Sequence, residues 1–214
     1  MFKRLFGKQA EAPVNNLAVV RNITVGRTIS LDTMAWRRMG SQTYFTLDRD
    51  VLDITAQGVV TLDSGQHVHR FYTDDHVMLQ AMSDDAAGAV SYDFTLFIPW
   101  TSAYPPNEKA RREWRDRLSA PVFHGAAEEL PDYPRFWFAE SDATQPPVTL
   151  WETVWDNRTA TTPYAKIFQT CMLYARDLAD GRELMLALEQ QPEGGETTHE
   201  IMIGIPLEMA EFRA

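Results

Sequence analysis

Residues 67–76 read His-Val-His-Arg-Phe-Tyr-Thr-Asp-Asp-His, and three histidines with two aspartates in ten positions are the raw material of a metal centre. Imidazole nitrogens and carboxylate oxygens both ligate zinc at ~2 Å. The spacing argues against it. With Asp74-Asp75 as a two-residue hairpin turn, Tyr72 faces Val77 and Arg70 faces Leu79. His69 and His76 then stand ~13 Å apart along the hairpin, at ~3.3 Å per residue. His67 and His69 share a face but lack a third ligand, so no metal and no cofactor is assigned. In this register Val68, Arg70, Tyr72, Val77, Leu79 and Ala81 form the more core-like face, which leaves the histidines on the wetter side.

Arg70 is the more informative residue of the stretch. It sits among apolar neighbours, where an unpaired guanidinium is very costly, and Asp74 or Asp75 could pair with it. A parallel case is LYARDLADGRE. With Asp180-Gly181 as the turn, Leu178 faces Glu183, and Arg176 and Glu183 become diagonal neighbours on one face. A third arginine, Arg135, lies inside YPRFWF. Each has a tyrosine within two residues: Tyr72, Tyr174 and Tyr133. Two uses are open. The arginines can lock strands through ion pairs and aromatic stacking, or some can converge on an anionic group or a partner carboxylate. Arg176 and Glu183 are expected to be a structural pair. The candidate ligand or partner site is Arg70, Tyr72, Asp74, Asp75, Arg135, Arg176 and Glu183.

Other chemistry is missing from the sequence. It contains no Gly-x-Ser-x-Gly, no phosphate-binding glycine loop and no Cys-x-x-Cys. The single cysteine, Cys171, excludes an intramolecular disulfide and reads as a small buried hydrophobe in IFQTCMLYA. No catalytic residue is assigned. Trp100, Trp137, Trp151 and Trp155 read as core rather than as a ligand groove.

The elements that must position these residues are mostly strands. TYFTL, VLDITAQGVVTLD, QHVHRFY, HVMLQAM and VSYDFTLFIPW are separated by turn signals, as a meander of hairpins requires. A second group follows: VTLWETVW, IFQTCMLYARDL, RELMLALEQQ and HEIMIGIPLEM. Ser30 is expected to cap a short helix over LDTMAWRRM. The long helix runs through EKARREWRDRL, capped by Asn107, with Ala110, Trp114 and Leu118 forming one apolar stripe. Its arginines are expected to be solvated and paired with Glu108, Glu113 and Asp116. Without strand–helix alternation, the expected class is α+β: a predominantly antiparallel sheet, a meander of hairpins, with one or two helices packed on it. Residues 17–214 are read as a single domain with a subdomain junction possible near 121–147.

The chain has 214 residues with 20 basic and 30 acidic side chains, a net charge of −10. That balance argues against nucleic acid as a partner. No apolar run approaches the roughly 18 residues of a membrane span, and the N-terminus lacks the apolar stretch of a secretory signal. The default location is cytoplasmic. Residues 1–16 read as a flexible basic leader in which Lys3, Arg4 and Lys8 surround Phe2, Leu5 and Phe6. Such a segment is too short to anchor alone but could make a weak peripheral contact with anionic lipid at the inner membrane.

The runs ITAQGVVTLDSGQHVHRFYTDDHVMLQ and CMLYARDLADGRELMLAL resemble the YjfK-like family of bacterial proteins of unknown function. The likeness is carried by Gly58, Leu62, Arg70-Phe71-Tyr72, Asp74-Asp75 and Leu79-Gln80, then by Tyr133, Arg135, Trp137, Tyr174, Arg176 and Glu183. The histidines at 67, 69 and 76 are outside that pattern. The resemblance implies no activity and no catalytic residues, but it implies a setting beside membrane-stress proteins. On that basis the expected function is a non-enzymatic binding or adaptor module in an envelope-associated system, with a protein partner there. The alternatives are a hydrolase-like enzyme or a small-ligand binder using the Arg/Asp/Tyr cluster.

Overall fold

The computed structural model describes residues 17–214. The basic leader, with Phe2, Lys3, Arg4, Leu5, Phe6 and Lys8, lies outside the described residues. The strands are β1 (Thr28–Leu31), β2 (Val51–Asp53), β3 (Ala56–Thr61), β4 (His67–Tyr72), β5 (Met78–Ser83) and β6 (Ser91–Ala103). After α2 (Glu108–Ser119) come β7 (Val122–Phe123), β8 (Tyr133–Pro134), β9 (Val148–Trp155), β10 (Ala165–Leu178), β11 (Gly181–Pro192), β12 (Thr198–Pro206) and β13 (Phe212–Arg213). A short helix, α1 (Met34–Arg37), precedes β2.

Eight strands close on themselves in the order β10-β11-β12-β6-β5-β4-β3-β9, every neighbouring pair antiparallel. This corrects the expectation of an α+β sheet carrying helices. The chain is mostly β, and its sheet is a closed barrel. The reason is β9, which pairs with β10 on one side and with β3 on the other, Gly58 opposite Val154 and Val60 opposite Glu152. Closure removes both sheet edges. It also explains why runs such as LMLAL, residues 184–188, are apolar at every position. Alternate residues point to the lumen and to the outer wall, and both sides are covered. On β11 the inward set is Leu184, Leu186 and Leu188, while Met185 and Ala187 face the larger outer core.

That outer core lies under the β13-β1-β2 sheet, the residues around α1 and helix α2. Asn107 caps α2 as expected, its side chain accepting from Ala110 N at 3.0 Å, and Trp114 and Leu118 are buried. The four-residue α1 does not use Ser30, which belongs to β1; Asp32 Oδ1 accepts from Met34 N instead. The arginines of α2 are not simply solvated. Arg111 and Arg115 both reach Glu189 on the barrel wall, and Arg117 reaches Glu128.

Two hairpin registers differ from the sequence reading. The β4–β5 loop runs from Thr73 to Val77, closed by Thr73 N donating to Val77 O at 3.0 Å, with His76 in the left-handed region at φ 64°. Tyr72 therefore faces Met78, and Arg70 faces Gln80. The one-residue shift exchanges faces across the whole pair, as the period of two demands. In the β10–β11 hairpin Leu178 faces Gly181, so the turn is Ala179-Asp180, and Arg176 and Glu183 are directly opposite.

Part of the lumen is packed. Phe97, Cys171, Leu173 and Leu184 cluster there, with Trp137 packed against them. Gly204 matters here because a Cβ at that position would overlap the Phe97 ring. Gly204→Ala should therefore lower stability by about 1–3 kcal/mol, as overpacking does. Urea melts should show the midpoint falling with the slope unchanged.

Candidate functional site

The barrel is open at the end that carries the β4–β5 loop. A cavity of about 360 Å³ enters between the β4–β5 loop, the start of β10, the end of β11 and the start of β12. Its walls are largely apolar: Met78, Val154, Ile167, Leu186, Leu188 and Met202. These are inward positions of five strands, placed by ordinary alternation. Arg70, Tyr72 and Gln169 supply the polar inner end, and Asp74, His76, Tyr164, Gln190 and Glu200 stand nearer the mouth.

The inner end is a buried ion pair with a full complement of donors. Arg70 Nη1 donates to Glu152 Oε2 at 2.8 Å and to Gln169 Oε1 at 2.6 Å, and Arg70 Nε donates to Gln80 Oε1 at 3.0 Å. Glu152 Oε2 also accepts from Gln169 Nε2 at 2.9 Å, and Oε1 accepts from the Tyr72 hydroxyl at 2.6 Å. Glu152 is completely buried, and Arg70 nearly so. Gly58 makes the geometry available. It lies on β3 between the two charged residues, and a Cβ there would overlap Glu152 Oε1. Burial alone would lower the pKa of Arg70, but Glu152 more than reverses this, so the guanidinium stays charged. Burial, together with Glu152, pushes the Tyr72 hydroxyl well above its ordinary range. Arg70 Nη2 is used in none of these hydrogen bonds and lies in a side chain that lines the cavity.

The candidate residues named from the sequence thus divide. Arg70, Tyr72 and Asp74 line the cavity. Asp75 turns outward to Arg49, 2.6 Å away, which with Thr73 holds its carboxyl down at about 2. Arg135 is caged by carbonyl oxygens of Ser119, Phe138, Ser141 and Ala143, which pins the loop after β8 to the end of α2. Arg176 and Glu183 meet on the outer wall. Glu183 Oε1 accepts from Arg176 Nε at 2.6 Å and from the Tyr133 hydroxyl, while Oε2 accepts from Thr43 Oγ1 and from the backbone N–H groups of Tyr44 and Phe45. The Arg176 guanidinium lies over the rings of Tyr44 and Tyr133. This cluster clamps residues 43–45 onto the β10–β11 hairpin and adjoins no lumen.

The histidines do not gather. His67 and His69 face outward with ring centroids 6.3 Å apart, and His69 is fully buried rather than wet, because the chain around Val20 and Gly88 covers it. Among the described residues no group of three His, Cys, Asp or Glu side chains could hold a metal. Trp151 is not core: it is 55% exposed on the outer face of β9. Burial pushes the Cys171 thiol up to about 11, which leaves it no thiolate character near neutral pH. A wider groove of about 980 Å³ lies outside the barrel beside Trp36, Phe45 and Trp100. Thr43 and Phe45, which the Glu183 cluster holds, are among its lining residues, but neither Arg176 nor Glu183 lines it.

Sequence reasoning missed Glu152, Gln169 and Glu200. The signal for Glu152 is present in VTLWETVW, where Val148, Leu150, Glu152 and Val154 alternate onto one face and a carboxylate interrupts an apolar row.

A model of the family described as "Protein of unknown function (DUF2491)" matches residues 1–213, and the chain belongs to that family. No curated protein and no solved structure matches it. Among the described residues, no helix is long and apolar enough to cross a membrane.

The Glu183 cluster yields a stability prediction. Burial alone would raise the pKa of Glu183, but Thr43, Tyr133, Arg176 and the Tyr44 N–H stabilise the anion, and the net direction is down. Its contribution is therefore full above the ordinary glutamate range and lost as pH falls through the folded value. Arg176→Ala and Glu183→Ala should each cost roughly 3–5 kcal/mol, and the double variant less than their sum. Denaturant melts across a pH series should show the gap between wild type and Glu183→Gln narrowing on acidification.

Proposed function

We propose that this member of the DUF2491 family is a small-molecule-binding barrel whose lumen holds an amphipathic ligand. The observation that carries the reading is the junction of an open apolar cavity with a buried arginine whose Nη2 donates to no described residue. An eight-stranded barrel is just wide enough either to fill with side chains or to hold one small ligand. Here part of the lumen is filled and part is not, and about 360 Å³ falls within the usual size of ligand sites. A buried ion pair is a poor way to gain stability, because desolvation offsets its attraction. Its position at the base of a cavity supports recognition as its purpose.

Binding fits these groups better than hydrolysis does. The Tyr72 hydroxyl is committed to Glu152 and held above its ordinary range, and the guanidinium stays charged, so neither is suited to proton transfer near neutrality. The buried thiol is no nucleophile. A second reading keeps the adaptor role in an envelope-stress system, with a protein partner and contact with the inner membrane face through the leader. The groove beside Trp36 and Trp100 favours it, being of a size to accept a segment of another chain, and so does the likeness to the YjfK-like family.

The lumen reading is tested by titrating the protein with an environment-sensitive apolar dye. One equivalent should bind. Ala56 stands at the mouth on β3, and Ala56→Trp should fill the opening while keeping a cooperative melt, since tryptophan suits a strand. That variant should lose the dye; retention at wild-type affinity would place the dye elsewhere.

A further inference from the structure

The charges around the cavity do not cancel. At the inner end Arg70 is matched by Glu152 at 2.8 Å. Nearer the mouth, Glu200 projects inward from β12 and makes no ion pair with a described residue. Its Oε1 accepts only from neutral groups, Gln190 Nε2, Thr198 Oγ1 at 3.0 Å and Ser102 Oγ at 3.4 Å, and no hydrogen bond from a described residue reaches Oε2. Asp74, on the rim, has no ion pair among the described residues either. Two basic residues of the β9–β10 hairpin do not line the cavity: Lys166 lies on the outward face of β10, and Arg158 lies in the β9–β10 loop. His199, adjacent to Glu200, points outward, stacked on Trp114 and directed at Glu189.

Two requirements on a ligand follow. A carboxylate seated against Arg70 would bring a second negative charge to a guanidinium already neutralised, leaving a net buried charge. A carboxylate at the mouth would face Glu200 and Asp74. An ammonium at the mouth would instead give Glu200 the partner it lacks, with the apolar body on Met78, Leu186, Leu188 and Met202. Arg70 Nη2 is left to donate to an uncharged acceptor, such as a carbonyl, hydroxyl or ether oxygen.

Building on the lumen-binding reading, we infer that the ligand is a small cationic amphiphile: an apolar body with an ammonium-type group countered by Glu200 and, at its far end, room for a neutral oxygen against Arg70. Fatty-acid-like carboxylates are selected against. The barrel discriminates through the charge it leaves unmatched, which is a repulsive element as much as an attractive one.

The test uses one body with three heads: n-octylammonium, n-octanol and n-octanoate, titrated calorimetrically into the full chain near neutral pH. Octylammonium should bind most tightly and octanoate most weakly, and Ala56→Trp should abolish all binding. Glu200→Gln, at a half-buried position that keeps its neutral hydrogen-bond donors, should weaken octylammonium about tenfold or more and leave octanol unchanged. Octanoate binding as tightly as octylammonium, or a Glu200→Gln variant with unaltered ammonium affinity, would overturn the inference while the lumen remains a ligand site. If none of the three binds and the apolar dye is not held either, the lumen reading itself fails and the inference goes with it.

Discussion

Arg70 and Glu152 hold each other across an intervening strand, and the closed sheet depends on that fact. The arginine is on β4 and the glutamate on β9, and β3 passes between them with Gly58 at the crossing. A slip of β9 by one residue would turn Glu152 to the outer wall and strand a guanidinium in the lumen. Apolar pairs along β9 would tolerate such an error far better, because one valine or leucine position resembles the next. The ion pair thus sets the register of the strand that closes the barrel, and the missing side chain of Gly58 is a condition for it.

The same chemistry recurs on the outer wall with a different result. Glu183 gathers Arg176, Tyr133, Thr43 and two backbone N–H groups, while Glu189 gathers Arg111, Arg115 and His199. Each buried carboxylate fastens a separate piece of the cover to a barrel strand, and each has its charge met by protein cations. Glu200 departs from this pattern. It is a neighbour of the Glu189 cluster in the β11–β12 pair, yet its strand position aims it inward, where it makes no ion pair with a described residue. The contrast between fully answered carboxylates outside and one inside that no described cation meets separates what holds this molecule together from what the proposed ligand would encounter.

Much of the local architecture was legible in the sequence. Alternation located the main strands, Asn107 and its apolar stripe located α2, and the Arg176–Glu183 partnership followed from the β10–β11 hairpin even with its turn placed one residue off. The failures have a common origin in distance along the chain. Nothing local to VLDITAQGVVTLD or VTLWETVW reveals that the two pair, so closure and the partner of Arg70 were both invisible, and Asp74 or Asp75 stood in for Glu152. The β4–β5 loop failed for a local reason: His76 adopts the left-handed conformation that asparagine or glycine more commonly supplies, and the Asp-Asp pair suggested a tighter turn. With one residue miscounted, Leu79 and Ala81 were assigned to the face of Arg70 in place of Gln80.

The pairing of β3 with β9 also bears on how the molecule comes into being. Strands β3 to β6 form successive hairpins and can assemble as they are synthesised, but the mate of β3 is made only after α2 and the irregular stretch beyond it. Contacts so remote along the chain require a large loss of chain entropy before any of them forms, which makes them slow to establish. Until β9 has emerged, β3 offers an unpaired edge, and the lumen face with its arginine is open to water. From the completion of β3 at Thr61 to that of β9 at Trp155, the nascent chain carries an unpaired strand edge of the kind that invites wrong pairing, a hazard the finished barrel no longer has.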